Sequence, residues 1–308
     1  MPLHLDFRPS ILEEVYGNES VKVSLQSIFA REKDRPHAYM FTGPSGCGKT
    51  TFGRIIASLL KCSEDDLFEY NTANMRGIDT VREIDNNCKY APMQGNVKVY
   101  LLDEFHKTTK DFQNAFLKLL EDPPSHVYFV LCTTDPDNVI KTIHTRCTTY
   151  QVKPLLNAQM KKLLNDILIS EGIEDFPTKV LEKIIEVSEG CARQALVILD
   201  QVIDITEETT ALDAVNAFTG ETHDLIEICR MLIDRKDPKK WGKIRVMLKG
   251  IEAEPENVRR SISNYMSAVL LGRDSDDRIA EILGCFTDNW FNSGKGGMVQ
   301  ALYFASKL

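Results

Sequence analysis

The stretch FTGPSGCGKTT, residues 41–51, carries the strongest local indication of the fold class. It follows a short apolar run and opens a segment with helical periodicity, and its residues 43–50 match the pattern G-x-x-x-x-G-K-[ST]. In this pattern the glycines let backbone N–H groups face phosphates, the lysine reaches the β- and γ-phosphates, and the threonine hydroxyl binds Mg²⁺. A glycine-rich turn with an incidental lysine is the alternative, which the flanking strand and helix patterns disfavour. The nucleotide-binding residues predicted here are Gly43, Pro44, Ser45, Gly46, Cys47, Gly48, Lys49, Thr50 and Thr51.

Short apolar runs alternate with helical periodicity over the first 155 residues. This alternation predicts an α/β core with a five-stranded, mostly parallel sheet that is covered on both faces. Sheets of this kind place their sites at the carboxyl ends of the strands. The predicted strands are 37–42, 68–72, 97–103, 127–133 and 149–152.

The predicted third strand, in VKVYLLDEFHK at residues 97–107, ends in two acids, Asp103 and Glu104. An aspartate at this place can hold Mg²⁺, and an adjacent glutamate can orient and deprotonate an attacking water. Two acids after an apolar run are also a common strand-to-loop boundary. The phosphate loop upstream favours the functional interpretation.

The predicted fourth strand, in HVYFVLCTTDP, ends in Thr133 and Thr134. These hydroxyls can contact a γ-phosphate or the attacking water. Turn formation before Asp135-Pro136 explains the same residues. The pattern alone leaves both interpretations open.

Length, composition and charge limit the class of protein. A chain of 308 residues exceeds the usual size of a single core, so two or three domains are expected. With 43% hydrophobic and 27% charged residues it is typical of soluble globular proteins, and its N-terminus lacks a signal-peptide pattern. The net charge of −8 argues against a surface that binds nucleic acid everywhere, but allows a local basic stripe. The eight scattered cysteines lack CxxC spacing, which predicts reduced thiols and no zinc.

After Pro154 the pattern becomes wholly helical. Four amphipathic helices are predicted within residues 156–220, as a lid over a nucleotide, and about five more within 221–308. Arg193 falls in the first turn of its predicted helix, where the helix dipole disfavours a cation, so a bound phosphate is a good partner. An exposed arginine on a tolerant surface is the alternative.

Several motifs together resemble the AAA+ clamp loader ATPases, in particular the gamma/tau subunit of bacterial DNA polymerase III and the small subunits of replication factor C. They are FTGPSGCGKTT, KVYLLDEFHK, FLKLLEDPPSHVYFVLCTTDP, IHTRC and SEGCARQALVILDQ. The similarity spans roughly residues 7–205. It implies a P-loop AAA+ core at residues 1–155, an all-α lid at 156–220 and an all-α collar for oligomerisation at 221–308. It also implies ATP and Mg²⁺ as ligands, and the catalytic or site residues Lys49, Thr50, Asp103 and Glu104.

The resemblance implies further roles in the same site. Thr134 is the first sensor and Arg193 is the second sensor. Arg146 is the arginine finger, which serves the nucleotide of a neighbouring subunit; from the residues alone it instead caps the C-terminus of a short helix. The N-terminal segment FRPSILEEVYGNESV packs against the adenine, and its candidate residues are Arg8, Pro9, Val15 and Tyr16.

The segment NTANMRGIDTVREI, residues 71–84, is a candidate DNA contact. A helix N-terminus next to arginines can hold a DNA phosphate without reading base sequence. A solvated amphipathic helix explains the pattern equally, and the resemblance favours DNA. The candidate DNA-binding residues are Arg76, Gly77, Ile78 and Arg82, with Lys107 and Lys110 as weaker ones.

Two features differ from the family pattern. The four-cysteine zinc module of gamma/tau chains has no room here, because only CSEDDL, residues 62–67, separates the first helix from the next strand. The usual Ser-Arg-Cys is Thr-Arg-Cys, which keeps a hydroxyl. We expect a compact relative without zinc.

The resulting prediction is an ATPase subunit that loads a ring-shaped sliding clamp onto primer-template DNA. The expected partners are the sliding clamp, primer-template DNA through its phosphates, and other loader subunits in a pentameric ring, with no membrane. The expected location is the cytoplasm, at the nucleoid or replication site. The alternatives are another AAA+ DNA machine, such as a branch-migration motor or helicase loader, and a structural ring subunit that does not hydrolyse ATP.

Overall fold

The computed structural model describes residues 2–31, 34–72, 77–219, 223–234, 239–251, 255–272, 275–290 and 293–308. The chain forms two compact units, Met1–Ile203 and Asp204–Leu308. In the described ranges no helix is long and apolar enough to span a bilayer.

The first unit is built on a five-stranded sheet in which every pair of neighbouring strands is parallel, in the order β2-β3-β4-β1-β5. Each strand begins and ends within one residue of its predicted bounds, which confirms the predicted sheet. The strands are β1 (Ala38–Thr42), β2 (Leu67–Asn71), β3 (Lys98–Asp103), β4 (Val127–Thr133) and β5 (Thr148–Gln151).

Nine helices of the first unit accompany this sheet among the residues described. Their side chains form an apolar core on each face: in β3, Val99 and Leu101 pack into one core, and Tyr100 and Leu102 into the other. Burial on both faces explains why the strands read as continuous apolar runs. The helices are α1 (Leu3–Asp6), α2 (Glu19–Phe29), α3 (Lys49–Leu59), α4 (Ile78–Cys88), α5 (Lys110–Glu121), α6 (Lys141–His144), α7 (Asn157–Ser170), α8 (Thr178–Ser188) and α9 (Ala192–Val202).

Three polar side chains, of which Asp66 and Lys98 are buried, make hydrogen bonds at the amino end of the sheet. The Asp66 side chain, just before β2, accepts hydrogen bonds from Ser63 Oγ (2.6 Å) and from the backbone N–H groups of residues 93, 94 and 95. Lys98, the first residue of β3, donates from Nζ to the Asn87 carbonyl near the end of α4 (2.9 Å). His126, just before β4, contacts two more carbonyl groups in this region from Nε2 (3.0 and 3.1 Å).

The second unit is helical throughout the secondary structure assigned to its described residues. Five of its helices lie in the described part of residues 221–308, as predicted, while α10, which the sequence predicts as part of the lid, also belongs to this unit. The division into core, lid and collar stays a prediction, since α7–α9 lie in one unit with the sheet. The helices are α10 (Glu208–Thr219), α11 (His223–Ile233), α12 (Lys240–Met247), α13 (Pro255–Leu271), α14 (Asp277–Gly284) and α15 (Gly294–Ala305).

A buried carboxylate fixes the start of α13. Glu256 is 8% exposed and accepts hydrogen bonds from the Arg259 guanidinium and from Trp290 N (2.9 Å). Chiefly because of the hydrogen bonding from Arg259, the pKa of the Glu256 carboxyl falls to about 2. The carboxylate therefore stays charged in its buried position.

Candidate nucleotide site

The loop between β1 and α3 has a conformation that requires glycine. Gly43 and Gly46 have positive φ angles of 145° and 72°. A Cβ on Gly43 would lie 2.1 Å from the Val152 carbonyl oxygen, and one on Gly46 would lie 2.2 Å from Cys191 Sγ. Close contacts on both sides therefore fix the path of this loop, and the second contact comes from the residue just before α9.

Lys49 and Thr50 begin α3 and connect the loop to its surroundings. Lys49 is 6% exposed, and its Nζ donates to the carbonyl oxygens of Gly43 (2.9 Å) and Pro44 (2.8 Å). Thr50 Oγ1 donates to Asp103 Oδ2 at 2.8 Å. The structure thus brings the loop and the acidic end of β3 together at one edge of the sheet.

Glu104 follows in a left-handed backbone conformation, with φ of 56°. Its N–H donates to Asp103 Oδ1 (2.9 Å), and the Thr72 hydroxyl lies 2.8 Å from its carbonyl oxygen. Its carboxylate Oε2 lies 3.4 Å from His106 Nε2 and 3.6 Å from Lys107 Nζ. Both the backbone and the side chain of this acid are therefore held by neighbours.

These residues open onto a cleft of about 350 Å³. Arg8 lies in it and donates from Nε to Thr51 Oγ1 (3.2 Å); burial, and then the nearby Arg54, lowers the pKa of its guanidinium. Tyr16 donates its hydroxyl to Asp166 Oδ2 (2.6 Å), and burial together with this acid raises its pKa to about 12. The predicted residues that line the cleft are Arg8, Pro9, Val15, Tyr16, Ser45, Gly46, Cys47, Gly48, Lys49, Thr50, Thr51, Asp103, Glu104 and Arg193.

Sequence reasoning missed several residues of the cleft. Arg54 and Glu69 form a two-pronged ion pair there, with N–O distances of 2.6 and 2.7 Å. Arg54 lies one helical turn beyond Thr50, so helical spacing was the available signal. The missed lining residues are His4, Leu5, Phe7, Phe52, Arg54, Glu69, Leu155, Leu163, Ala192 and Leu196.

Two predicted catalytic residues do not line this cleft. Thr134 is half-buried, and the fully buried Thr133 is the residue that contacts His106 at the end of β4. Arg146 donates from Nη1 to the Thr142 carbonyl in α6 (2.8 Å) and pairs through Nη2 with Glu121. The helix-capping interpretation of Arg146 is therefore confirmed. Its acidic partner comes from 25 residues earlier in the chain.

The DNA-contact candidates lie at two helix starts. Gly77 is the N-cap of α4, Ile78 is 41% exposed, and Arg82 forms an exposed ion pair with Asp79 (2.9 Å). Lys110 begins α5 and is exposed. Arg76 lies outside the described residues.

Comparison with known proteins identifies relatives. Residues 64–156 match the family described as DNA polymerase III, delta subunit. The chain is 34% identical to DNA polymerase III subunit tau of Escherichia coli over 71% of its length, and 32% identical to that of Bacillus subtilis over 72%. It covers only 37% and 43% of these two proteins, so it spans less than half of their length.

Solved structures show the same fold. The RuvB Holliday junction branch migration motor of Thermotoga maritima superimposes with a TM-score of 0.57 over 80% of this chain and 86% of that one. The sequence identity is 21%, so this similarity concerns the fold alone. Together with the parallel sheet, it shows a P-loop fold of the AAA+ type, in a chain whose sequence is similar to the DNA polymerase III tau subunits.

Proposed function

We propose that this chain binds and hydrolyses Mg²⁺-ATP as a subunit of a sliding-clamp loader. The observation that carries the proposal is the 2.8 Å contact between Thr50 Oγ1 and Asp103 Oδ2, at the base of the cleft. A hydroxyl and a carboxylate are oxygen ligands of the kind Mg²⁺ prefers. The sequence relationship to the gamma and tau subunits points to the same activity.

Each side chain of the site has a chemical role in this proposal. Lys49 would exchange its two loop carbonyls for the β- and γ-phosphate oxygens, while Thr50 and Asp103 would hold Mg²⁺, whose charge would offset that of the phosphates. Glu104 accepts a proton from the water that attacks the γ-phosphorus. The bond between this phosphorus and the β–γ bridging oxygen breaks, without a covalent enzyme intermediate.

The remaining cleft residues would select and sense the nucleotide. The N-terminal segment with Arg8, Pro9, Val15 and Tyr16 surrounds the base in this proposal. Arg193, at the first turn of α9, faces the same cleft and serves as the second sensor. Thr134 is the first sensor in this assignment.

Arg146 is proposed to act on the nucleotide of a neighbouring subunit. In the isolated chain its guanidinium pairs with Glu121 and the Thr142 carbonyl. A neighbouring γ-phosphate would compete with Glu121 for the same Nη2 group. Such fingers contribute about 10³–10⁵ in rate, so the finger becomes effective only in the assembled ring.

The partners remain proposals of the same kind. We expect a pentameric ring held by the helical collar, a sliding clamp, and primer-template DNA at the start of α4 with Arg76, Gly77, Ile78 and Arg82. Lys107 and Lys110 are secondary contacts. Phosphate contacts predict binding that weakens with salt and is indifferent to base sequence.

The deciding experiment measures ATP turnover by the chain with its loader partners, with and without a sliding clamp plus primed DNA. Clamp and DNA together should raise turnover, and turnover that ignores both contradicts the clamp-loader function. Branch-migration activity on four-way junctions, without any clamp dependence, would favour the RuvB-like alternative. An absence of turnover under all conditions would favour a structural subunit.

Variants test the arginine finger. Arg146→Ala should bind ATP normally but lose hydrolysis in the assembled ring, whereas the control Arg31→Ala, at an exposed arginine, should keep it. If the ring is homomeric, mixing Arg146→Ala with Lys49→Ala chains should restore part of the activity. Normal hydrolysis by Arg146→Ala would leave helix capping as its role.

A further inference from the structure

His106 connects the ends of two neighbouring strands. It lies in the short turn Phe105–Lys107 after β3, and its side chain is 13% exposed. Its Nε2 lies 3.4 Å from Glu104 Oε2, and its Nδ1 lies 3.1 Å from Thr133 Oγ1 at the end of β4. The imidazole therefore bridges the acid of the site and a fully buried hydroxyl.

The surroundings of Thr133 determine how the imidazole is protonated. Thr133 Oγ1 accepts a hydrogen bond from Asp135 N (3.1 Å) and lies 3.0 Å from the Asp135 carbonyl oxygen. If its hydroxyl donates to Nδ1, the neutral ring carries its hydrogen on Nε2, which then faces Glu104 as a donor. If the hydroxyl donates to Asp135, Nδ1 donates to Thr133 and the neutral ring has a lone pair at Nε2. A role for His106 in holding Glu104 requires the first arrangement.

No other contact described for the Glu104 carboxylate is comparably fixed. Lys107 is 3.6 Å away, but its side chain is 45% exposed. An ion pair of this kind restrains a side chain weakly, because water and salt screen it. His106 is better anchored, since its other nitrogen is tied to the buried end of β4.

We propose that His106 is a positioning residue for Glu104. Its Nε2–H holds Oε2 and directs the second carboxylate oxygen, Oε1, towards the attacking water. This inference rests on the proposed function, in which Glu104 takes the proton of that water. Small misplacements of a reacting group cost up to about 100-fold in rate. Loss of the His106 contact should therefore lower the rate of hydrolysis and leave the affinity for the nucleotide unchanged.

The test compares His106→Ala, His106→Gln and His106→Asn in the full chain with its loader partners, clamp and primed DNA. Glutamine carries an N–H donor at the distance of Nε2, whereas asparagine does not reach Glu104. We expect His106→Ala and His106→Asn to lower kcat about 10-fold to 100-fold with KM for ATP unchanged. His106→Gln should recover a large part of the rate. The control His37→Gln alters a histidine before β1 that bonds the Val127 carbonyl, and should leave kcat unchanged.

Glu104→Gln separates the two levels of the proposal. If it is inactive while all His106 variants turn over normally, the positioning role is overturned and the function stands. If Glu104→Gln itself hydrolyses ATP normally, the role of Glu104 fails and that of His106 fails with it. Because His106 acts through Glu104, His106→Ala should add no further loss in the Glu104→Gln background. A further loss of turnover of 10-fold or more in the double variant, with a thermal unfolding temperature equal to that of the wild type, would contradict the positioning role.

Discussion

Two buried lysines lie at opposite ends of the same sheet and differ in what they bind. Lys98, at the amino end of β3, is 2% exposed and holds the Asn87 carbonyl and side-chain oxygens (2.9 and 3.2 Å). Lys49, at the carboxyl end of β1, is 6% exposed and holds two carbonyls of its own loop. Lys98 bonds a carbonyl at the end of α4 that also accepts from Tyr90 N (3.3 Å). In the proposed function, phosphate oxygens replace the partners of Lys49.

The neighbours of each lysine follow the same division. At the amino end, Asp66 accepts four hydrogen bonds and His126 contacts two carbonyls. At the carboxyl end, Thr50, Asp103 and Glu104 contact one another or nearby side chains. The polar groups at the amino end therefore serve stability, whereas those at the carboxyl end line the cleft and are available to a ligand.

The largest expected effect is on activity and comes from Lys49→Ala. ATP hydrolysis should fall at least about 100-fold, because the charge that faces the β- and γ-phosphates is lost. The free energy of unfolding should change by less than about 1 kcal/mol, since loop carbonyls near a cleft can turn to water. Steady-state turnover and urea denaturation measure the two quantities. A large loss of stability with activity retained would show that Lys49 serves the stability of the fold and not the nucleotide site.

Lys98→Met should give the opposite result. Methionine keeps the apolar stem but removes the charged donor that the Asn87 carbonyl and side-chain oxygens share, which costs about 1–3 kcal/mol of unfolding free energy. The midpoint of urea denaturation should fall, while ATP affinity below that midpoint stays unchanged. Equal stability with lost ATP binding would show that Lys98, too, belongs to the site.

Asp66→Asn should lower stability by about 1–3 kcal/mol at neutral pH, because an amide replaces one of two accepting oxygens with a donor. It should also change the pH dependence. Burial alone raises the pKa of the Asp66 carboxyl, but the hydrogen bonds from Ser63 and three backbone N–H groups outweigh it and lower the pKa well below its usual value.

The sign follows from that lowered pKa. The carboxylate stabilises the fold fully above about pH 4, the unfolded value, and this contribution is lost as the pH falls towards the folded pKa. As the pH is lowered from 7 to 2, the urea midpoint should therefore fall more steeply for the wild type than for Asp66→Asn. Parallel curves would contradict the assigned hydrogen bonds.

The smallest effect is expected from His126→Ala. It removes the imidazole contacts to the carbonyls of residues 88 and 90, at and just beyond the end of α4. The imidazole is only partly buried, so about 1 kcal/mol of stability should be lost. Thermal unfolding measures it, with turnover as the control. A loss above that of Lys98→Met would mean that the helix end depends mainly on the imidazole.

Local patterns in the sequence predict most of this fold. The three inner strands, β1, β3 and β4, are apolar on both faces and end in Thr or Asp, so their bounds are found within one residue. The loop of Lys49 and Thr50 is found because its chemistry is local in sequence. The long helix α13 is found because its start at Pro255 and its apolar periodicity agree.

Contacts between distant segments carry the part that sequence does not predict. His106 meets Thr133 across 27 residues and Arg146 meets Glu121 across 25, with no periodicity that relates either pair. Arg54 lies on α3 and Glu69 on β2, which become neighbours only when the chain folds. The register of the parallel strands determines which of these distant side chains meet, and this register cannot be deduced from the individual side chains.

The contact of Cys191 with Gly46 has a kinetic consequence. A methyl group on Gly46 would come within 2.2 Å of the sulfur, so only a glycine hydrogen fits between the loop and the segment that starts α9. In the proposed function, this contact closes the α9 side of the loop that cradles the nucleotide. We expect release of the nucleotide to need the opening of that contact, a segmental motion on the microsecond-to-millisecond scale.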